Sequence, residues 1–258
     1  MKRVLRDTWW LTHRRLGVVV RQPGYLVITM VQPVVWLFLF GSLFQRVVEL
    51  PGFGAASYLD YLVPGIVVMN ALSFNSWAGM GTLDEIERGT LDRFLITPVR
   101  RGALVSCVVV EHALSTVVQS LIIVLLGLAG GAHYAGGAPG VAVLITAAVL
   151  LGMALSALSH TFGLLVRRRE TVIALNTFLL LPLTFLSTAF MSARLMPRWM
   201  REVAVRNPVD WALVAGRSAL AADPGRTAAL TRLGGLALLA ALMVGVCLLA
   251  FRAYRKSV

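Results

Sequence analysis

Residues 84–101, DEIERGTLDRFLITPVRR, set eight charged side chains, a glycine and a proline between two long apolar runs. The contrast decides the fold. Of the 258 residues 58% are hydrophobic and the mean hydropathy is +0.79, more than a soluble domain of this length needs for its core. The apolar runs are therefore read as membrane helices, and the charged stretch as a segment returned to water between two of them.

Working outward in windows of about 19 residues gives six runs able to cross roughly 30 Å of hydrocarbon as helix. They are 25–44, 59–82, 104–131, 141–166, 172–190 and 233–251. No run alternates like a barrel strand, and backbone groups in lipid must be satisfied within the segment, so the expected class is an all-α integral membrane protein. The whole chain, 1–258, reads as one transmembrane domain. The second run carries Asn70, Ser73, Asn75 and Ser76, which suits a helix facing other helices or a cavity.

Placing both termini in the cytoplasm puts sixteen Lys and Arg residues inside and Arg46 alone in the short outer loops. Residues 192–232 hold seven more, but longer loops weigh less in the rule. This placement, with anionic lipid beside it, accounts for the net charge of +12 without a nucleic-acid partner. Cys107 and Cys247 fall inside runs, and no disulfide is expected. Residues 2–21 are too mixed for the apolar core of a cleaved signal. Within 1–22, Leu5, Trp9, Leu16 and Val20 recur at near-helical spacing, as in an interfacial amphipathic helix serving as anchor or as mechanical part.

Read as a helix, the charged stretch sets Leu83, Ile86, Leu91, Phe94 and Leu95 on one face and Asp84, Glu85, Arg88 and Asp92 elsewhere. Acids come first and bases last, matching the helix dipole; Asp84 and Arg88 are an i,i+4 pair. Gly89 weakens the middle, and Pro98 ends the element. A short cytoplasmic helix follows, either a solvated face or a docking surface.

The stretch EIERGTLDRFLITPVRR resembles the cytoplasmic segment of ABC-2 type permeases, the membrane subunits of ATP-binding cassette exporters. The matching positions are Glu85 or Glu87, Gly89, Thr90, Leu91, Phe94, Leu95, Thr97 and Pro98. NPVDWALVAGR, residues 207–217, is similar to the family's Asn-Pro element between the last two spans. The resemblance covers nearly the whole chain and is greatest to the daunorubicin and drug-resistance branch. It implies that 84–101 is a coupling helix seated in a groove of a separate ATP-binding subunit, with Glu85, Glu87, Arg88, Gly89, Leu91, Phe94, Leu95 and Pro98 at the contact. It further implies two permease copies, most simply a homodimer or else a pairing with a homologous second permease, two copies of the ATP-binding subunit, and a bacterial plasma membrane. Cofactors are not held directly: ATP and Mg2+ belong to the partner. Residues 192–232 would form re-entrant outer helices marked by Asn207, Pro208 and Trp211. The family's apolar substrates pass a cleft lined by spans one, two and five. That selects Gln32, Asn70, Phe74, Phe178 and Phe185.

One conclusion needs no resemblance. A phosphate-binding P-loop ends in Lys-Ser or Lys-Thr after glycines, and the two lysines are Lys2 and Lys256, the latter preceded by no glycine in 251–255. The chain is not an enzyme by that route, and catalytic and metal residues are none. An intramembrane hydrolase built on Ser156 and His160 lacks an orienting carboxylate and a Gly-x-Ser turn. The alternatives are an ion-coupled secondary transporter, for which Glu111 is the one acid set more than a residue inside a run, and a non-transporting membrane scaffold.

Overall fold

A computed structural model describes residues 23–44, 57–89, 101–189, 192–221 and 226–256, and every regular element among them is helical. The expected interfacial helix at 1–22 and the second half of the charged stretch lie outside the described residues. The helices are α1 (Pro23–Leu43), α2 (Tyr58–Ser76), α3 (Ala78–Glu87), α4 (Arg101–Ala129), α5 (Gly137–Val166), α6 (Arg169–Phe185), α7 (Arg198–Ala204), α8 (Pro208–Leu220) and α9 (Arg226–Lys256), with one 3-10 turn, Ala193–Leu195. The six apolar runs of the sequence fall on α1, α2 with α3, α4, α5, α6 and α9. Among the described residues, three stretches are long and apolar enough to cross a membrane by length and composition: Cys107–Ala129, Gly137–Val166 and Ala229–Tyr254. Val27–Leu43 is apolar but shorter. In α2, Asp60, Asn70 and Asn75 dilute the run, and α6 has 17 residues with Pro182 inside.

α5 is the axis of the bundle, packed against α2, α3, α4, α6, α8 and α9, whereas α1 leans on α2 and, less, on α4. The reason is in its side chains: Ala147, Ala148, Ala154, Ala157, Ser156 and Ser159 are buried with Leu144 and Leu151. Small residues let neighbouring backbones approach, which in lipid replaces the hydrophobic drive that water would supply. At Gly79 the approach is close enough that a Cβ there would lie 2.1 Å from the Ser159 carbonyl oxygen.

Between α2 and α3 the chain leaves helical geometry at one residue, Trp77 (φ −90°, ψ 0°). Ser159 on α5 mends the gap: its Oγ donates to the Ser76 carbonyl (2.6 Å) and accepts from the Gly79 N–H (2.9 Å). Backbone groups released inside an apolar bundle are thus satisfied by a neighbour, as they must be. The large apolar cluster runs through α1, α2, α4, α5, α8 and α9. A smaller one, with Val109, Leu164, Phe251 and Tyr254, closes the end of the bundle near Glu87. Facing outward are Ile28 and Leu39 on α1, Phe178 and Phe185 on α6, and Leu238 and Leu249 on α9.

The charged stretch departs from expectation. Its first residues continue α3, which stops at Glu87 with Arg88 as cap, and Gly89 takes φ +63°. A glycine in that left-handed conformation is the ordinary helix terminator. A single helix across Gly89 is therefore corrected to a helix end at 87; Leu91, Phe94, Leu95 and Pro98 lie outside the described residues.

Candidate functional site

α1, α2 and α6 diverge enough to leave a cleft of about 140 Å³ lined by Gln32, Pro33, Trp36, Ile66, Met69, Asn70, Ser73 and Thr184. Pro33 removes a backbone donor from α1. The lining mixes an indole and aliphatic groups with amides and hydroxyls, and contains no charge. Such a wall solvates an uncharged amphipathic molecule. Asn70 is fixed behind the wall: its Nδ2 donates to Gln119 Oε1 on α4 (2.7 Å), and Gln119 is 1% exposed.

Of the five pathway residues selected from sequence, the structure brings Gln32 and Asn70 together at this cleft. Phe74 turns toward α4 and packs on the His112 ring, centroids 5.3 Å apart. Phe178 and Phe185, seven residues apart and so on one face of α6, are 79% and 67% exposed. The α6 residue at the cleft is Thr184.

A polar belt lies deeper. Asn75 Nδ2 donates to Thr116 Oγ1 (2.9 Å), Thr82 Oγ1 meets His160 Nδ1 (2.5 Å), and Asn176 Nδ2 donates to Ser159 Oγ (3.3 Å). These bonds tie α2 and α3 to α4 and α5, and α6 to α5. Interhelical bonds of this kind hold apolar bundles together and give Ser159 and His160 roles in packing.

At the Glu87 end, Arg169 opens α6 and reaches across to α3. Its Nε donates to Glu87 Oε1 (2.8 Å), its Nη2 to Glu87 Oε2 (2.7 Å), and Nη2 also contacts Asp84 Oδ1. The fork geometry is that of bidentate arginine–carboxylate pairing. Hydrogen bonding to Arg169 holds the Glu87 carboxyl below the usual carboxylate range, and the same two acids raise the Arg169 pKa. All three side chains are about half exposed, so the pair contributes little stability and matters as a joint between α3 and α6. Glu85 and Arg88 lie beside it on the same helix end.

At the opposite end the sequence-selected Asn207 caps α8, accepting from the Val209 N–H (2.9 Å), with Pro208 in the first turn. Its Nδ2 donates to the Leu183 and Leu186 carbonyls (2.9 and 2.8 Å), filling acceptors left open where α6 ends. Trp211 Nε1 donates to the Val205 carbonyl (2.7 Å), binding α8 back to the turn after α7. Asp210 and Arg217, within the quoted NPVDWALVAGR but not selected from it, are both engaged here. Asp210 is 4% exposed, accepts from Thr188 Oγ1 (2.5 Å), and lies on the helix that carries Arg217.

The ABC-2 type transporter family model matches residues 6–221. The daunorubicin resistance ABC transporter permease protein DrrB1 of Streptomyces coeruleorubidus is 27% identical over 207 residues, covering 79% of this chain and 71% of the relative. The putative transport permease ycf38 of Cyanophora paradoxa is 28% identical over 214 residues, 81% of this chain and 72% of the relative. The probable doxorubicin resistance ABC transporter permease protein DrrC of Mycobacterium tuberculosis (strain ATCC 25618 / H37Rv) is 25% identical over 162 residues, 62% and 58% of the two chains. With the family match spanning α1 to α8, both quoted motifs and the cleft, this chain belongs to the ABC-2 type transporter family.

Proposed function

We propose that the chain is the membrane-spanning permease subunit of an ABC exporter. It moves a hydrophobic or amphipathic substrate (a drug, lipid or natural product) out of the cytoplasm, using ATP hydrolysed by a separate subunit. The observation that carries this reading is the cleft between α1, α2 and α6, whose uncharged mixed lining suits such a molecule. Two of the cleft's helices also meet at the Glu87–Arg169 joint, since α2 continues through Trp77 into α3.

In this proposal the Glu87 end faces the cytoplasm, and residues 85–98 dock on the ATP-binding subunit. Movement of the docked segment reaches the cleft along two rigid paths, α3 into α2 and Arg169 into α6. Two permease copies, most simply a homodimer, and two ATP-binding subunits in a bacterial plasma membrane complete the assembly. The exposed apolar faces of α1 and α6, with Phe178 and Phe185, then meet the second copy or lipid. The names of the drug-resistance relatives support the substrate class.

The test is reconstitution of the permease with its ATP-binding subunit in liposomes, with ATPase activity and vectorial transport followed over a compound panel. Substrate-stimulated hydrolysis is expected, and transport that stops when the ATP-binding subunit is inactivated. Transport by the permease alone, driven by a proton gradient, would favour a secondary transporter and refute the proposal. An ATPase complex that moves nothing across the panel would favour a scaffold.

A further inference from the structure

Arg217 has no role in the cleft, the coupling segment or the motif residues selected from sequence, yet it makes the densest set of polar contacts at its end of the bundle. Nη1 donates to the Thr188 carbonyl (2.8 Å) and Oγ1 (3.3 Å). Nη2 donates to the Ala189 carbonyl (2.9 Å) and the Tyr61 carbonyl (3.3 Å). The guanidinium also lies over the Tyr61 ring, 3.6 Å from its centroid. Asp210, seven residues earlier on the same face of α8, takes the other side of Thr188, accepting from its Oγ1 (2.5 Å) and its N–H (3.2 Å). Tyr61 Oη donates to the Thr188 carbonyl as well (2.7 Å). One buried knot thus joins the first turn of α2, the turn leaving α6, and α8.

The location gives the knot a consequence. Thr184, at the cleft, lies one turn before Thr188, and Ile66, also at the cleft, lies about a turn beyond Tyr61. The two helices whose separation forms the cleft are therefore pinned together at its end away from Glu87. Gly65 shows how close the pinning is: a Cβ there would lie 2.6 Å from the Ala189 carbonyl oxygen. Only a planar fork holds two successive carbonyls while stacking on a ring; an ammonium does not. Ionisable side chains buried in an apolar bundle are costly and mark function more often than stability.

We infer that Arg217, with Asp210 and Tyr61, is a latch that closes the cleft at the end away from Glu87, and that it releases during transport. Arg217 is a positioning residue in this scheme: it sets the spacing of α2 and α6 and touches no substrate. The inference rests on the exporter reading for the need to open, but the closed contact itself does not depend on ATP.

The test uses the full chain in oriented proteoliposomes, with Cys107 and Cys247 replaced by Ala and Ser73→Cys as the sole thiol in the cleft. A membrane-impermeant maleimide is added on the Asp210 side. With the latch intact, labelling is slow. The charge-balanced pair Arg217→Met with Asp210→Asn, and separately Tyr61→Leu, should each raise the rate about tenfold or more, the equivalent of one lost charge-assisted bond. Arg217→Lys keeps the charge without the fork and should recover only part of the closure. Unchanged labelling in folded Tyr61→Leu protein overturns the latch, even if the paired variant fails to fold. Faster labelling in a chain that never exports with an ATPase keeps the latch and refutes the exporter reading instead.

Discussion

Single residues carry separable jobs here, and Asn207 shows it best. Its Oδ1 caps α8 while its Nδ2 serves two carbonyls at the end of α6. Asn207→Asp keeps the cap and loses the second job; Asn207→Ala loses both. Losing the cap costs about 1 kcal/mol, so thermal unfolding in detergent should rank wild type above Asp, and Asp above Ala. Glu87 gives a pH prediction. Its folded pKa is depressed by Arg169, so the joint's contribution is present above the ordinary carboxylate value and fades as pH falls through the lowered one. Replacing Arg169 by Gln should return the Glu87 titration, followed by carboxyl-labelled NMR, to the ordinary range. A Glu87 titration indifferent to that change would mean that the pair does not persist in solution. The sequence offered Glu87 as a contact for another protein and Arg169 as a topological charge. Nothing local revealed their pairing, because 82 residues separate them.

Elements were more legible than their joints. Hydropathy is a local property, so the helical class and the positions of the apolar runs were readable from windows of the chain. The break at Asn207 was readable too, because Asn-Pro both caps and starts a helix. Gly89 was weighed as a weak spot when its stronger meaning was a stop, since a positive φ ends a helix outright. Which face of α6 meets the cleft was not readable: the sequence selected two phenylalanines, and packing placed Thr184 there. The α3–α5 contact gives a test at this scale. Gly79→Ala would drive a methyl against the Ser159 carbonyl, and the overpacking should cost about 1–3 kcal/mol. Gly81→Ala, with nothing within 4 Å, should be tolerated or slightly stabilising. Equal melting temperatures for the two variants would contradict the packing described.

For the whole molecule, the ends of the bundle are joined by different chemistry. One is an exposed arginine–carboxylate joint, open to salt and water; the other is a buried arginine, tyrosine and aspartate knot. High salt should therefore weaken the Glu87–Arg169 joint and leave the Arg217 knot intact. On the proposed exporter reading, raising ionic strength on the Glu87 side of proteoliposomes holding the permease and its ATP-binding subunit should lower the transport yield per ATP hydrolysed. The same change in an Arg169→Gln background should have no further effect. Neither joint could be read from the sequence, because Arg217 and Tyr61 lie 156 residues apart and their meeting depends on the packing of the whole bundle.

The hub position of α5 has a consequence for biosynthesis. A ribosome delivers α1, α2, α3 and α4 to the bilayer before the helix on which most of the bundle leans. Until residue 159 arrives, the gap at Trp77 lacks the serine that mends it. Nascent chains halted near residue 136 should therefore be cleared by membrane proteases far faster than chains halted after 166, which pulse-chase of the two truncations would measure. The chain is most vulnerable in the middle of its own synthesis, and any slowing of translation just before α5 would lengthen that exposure.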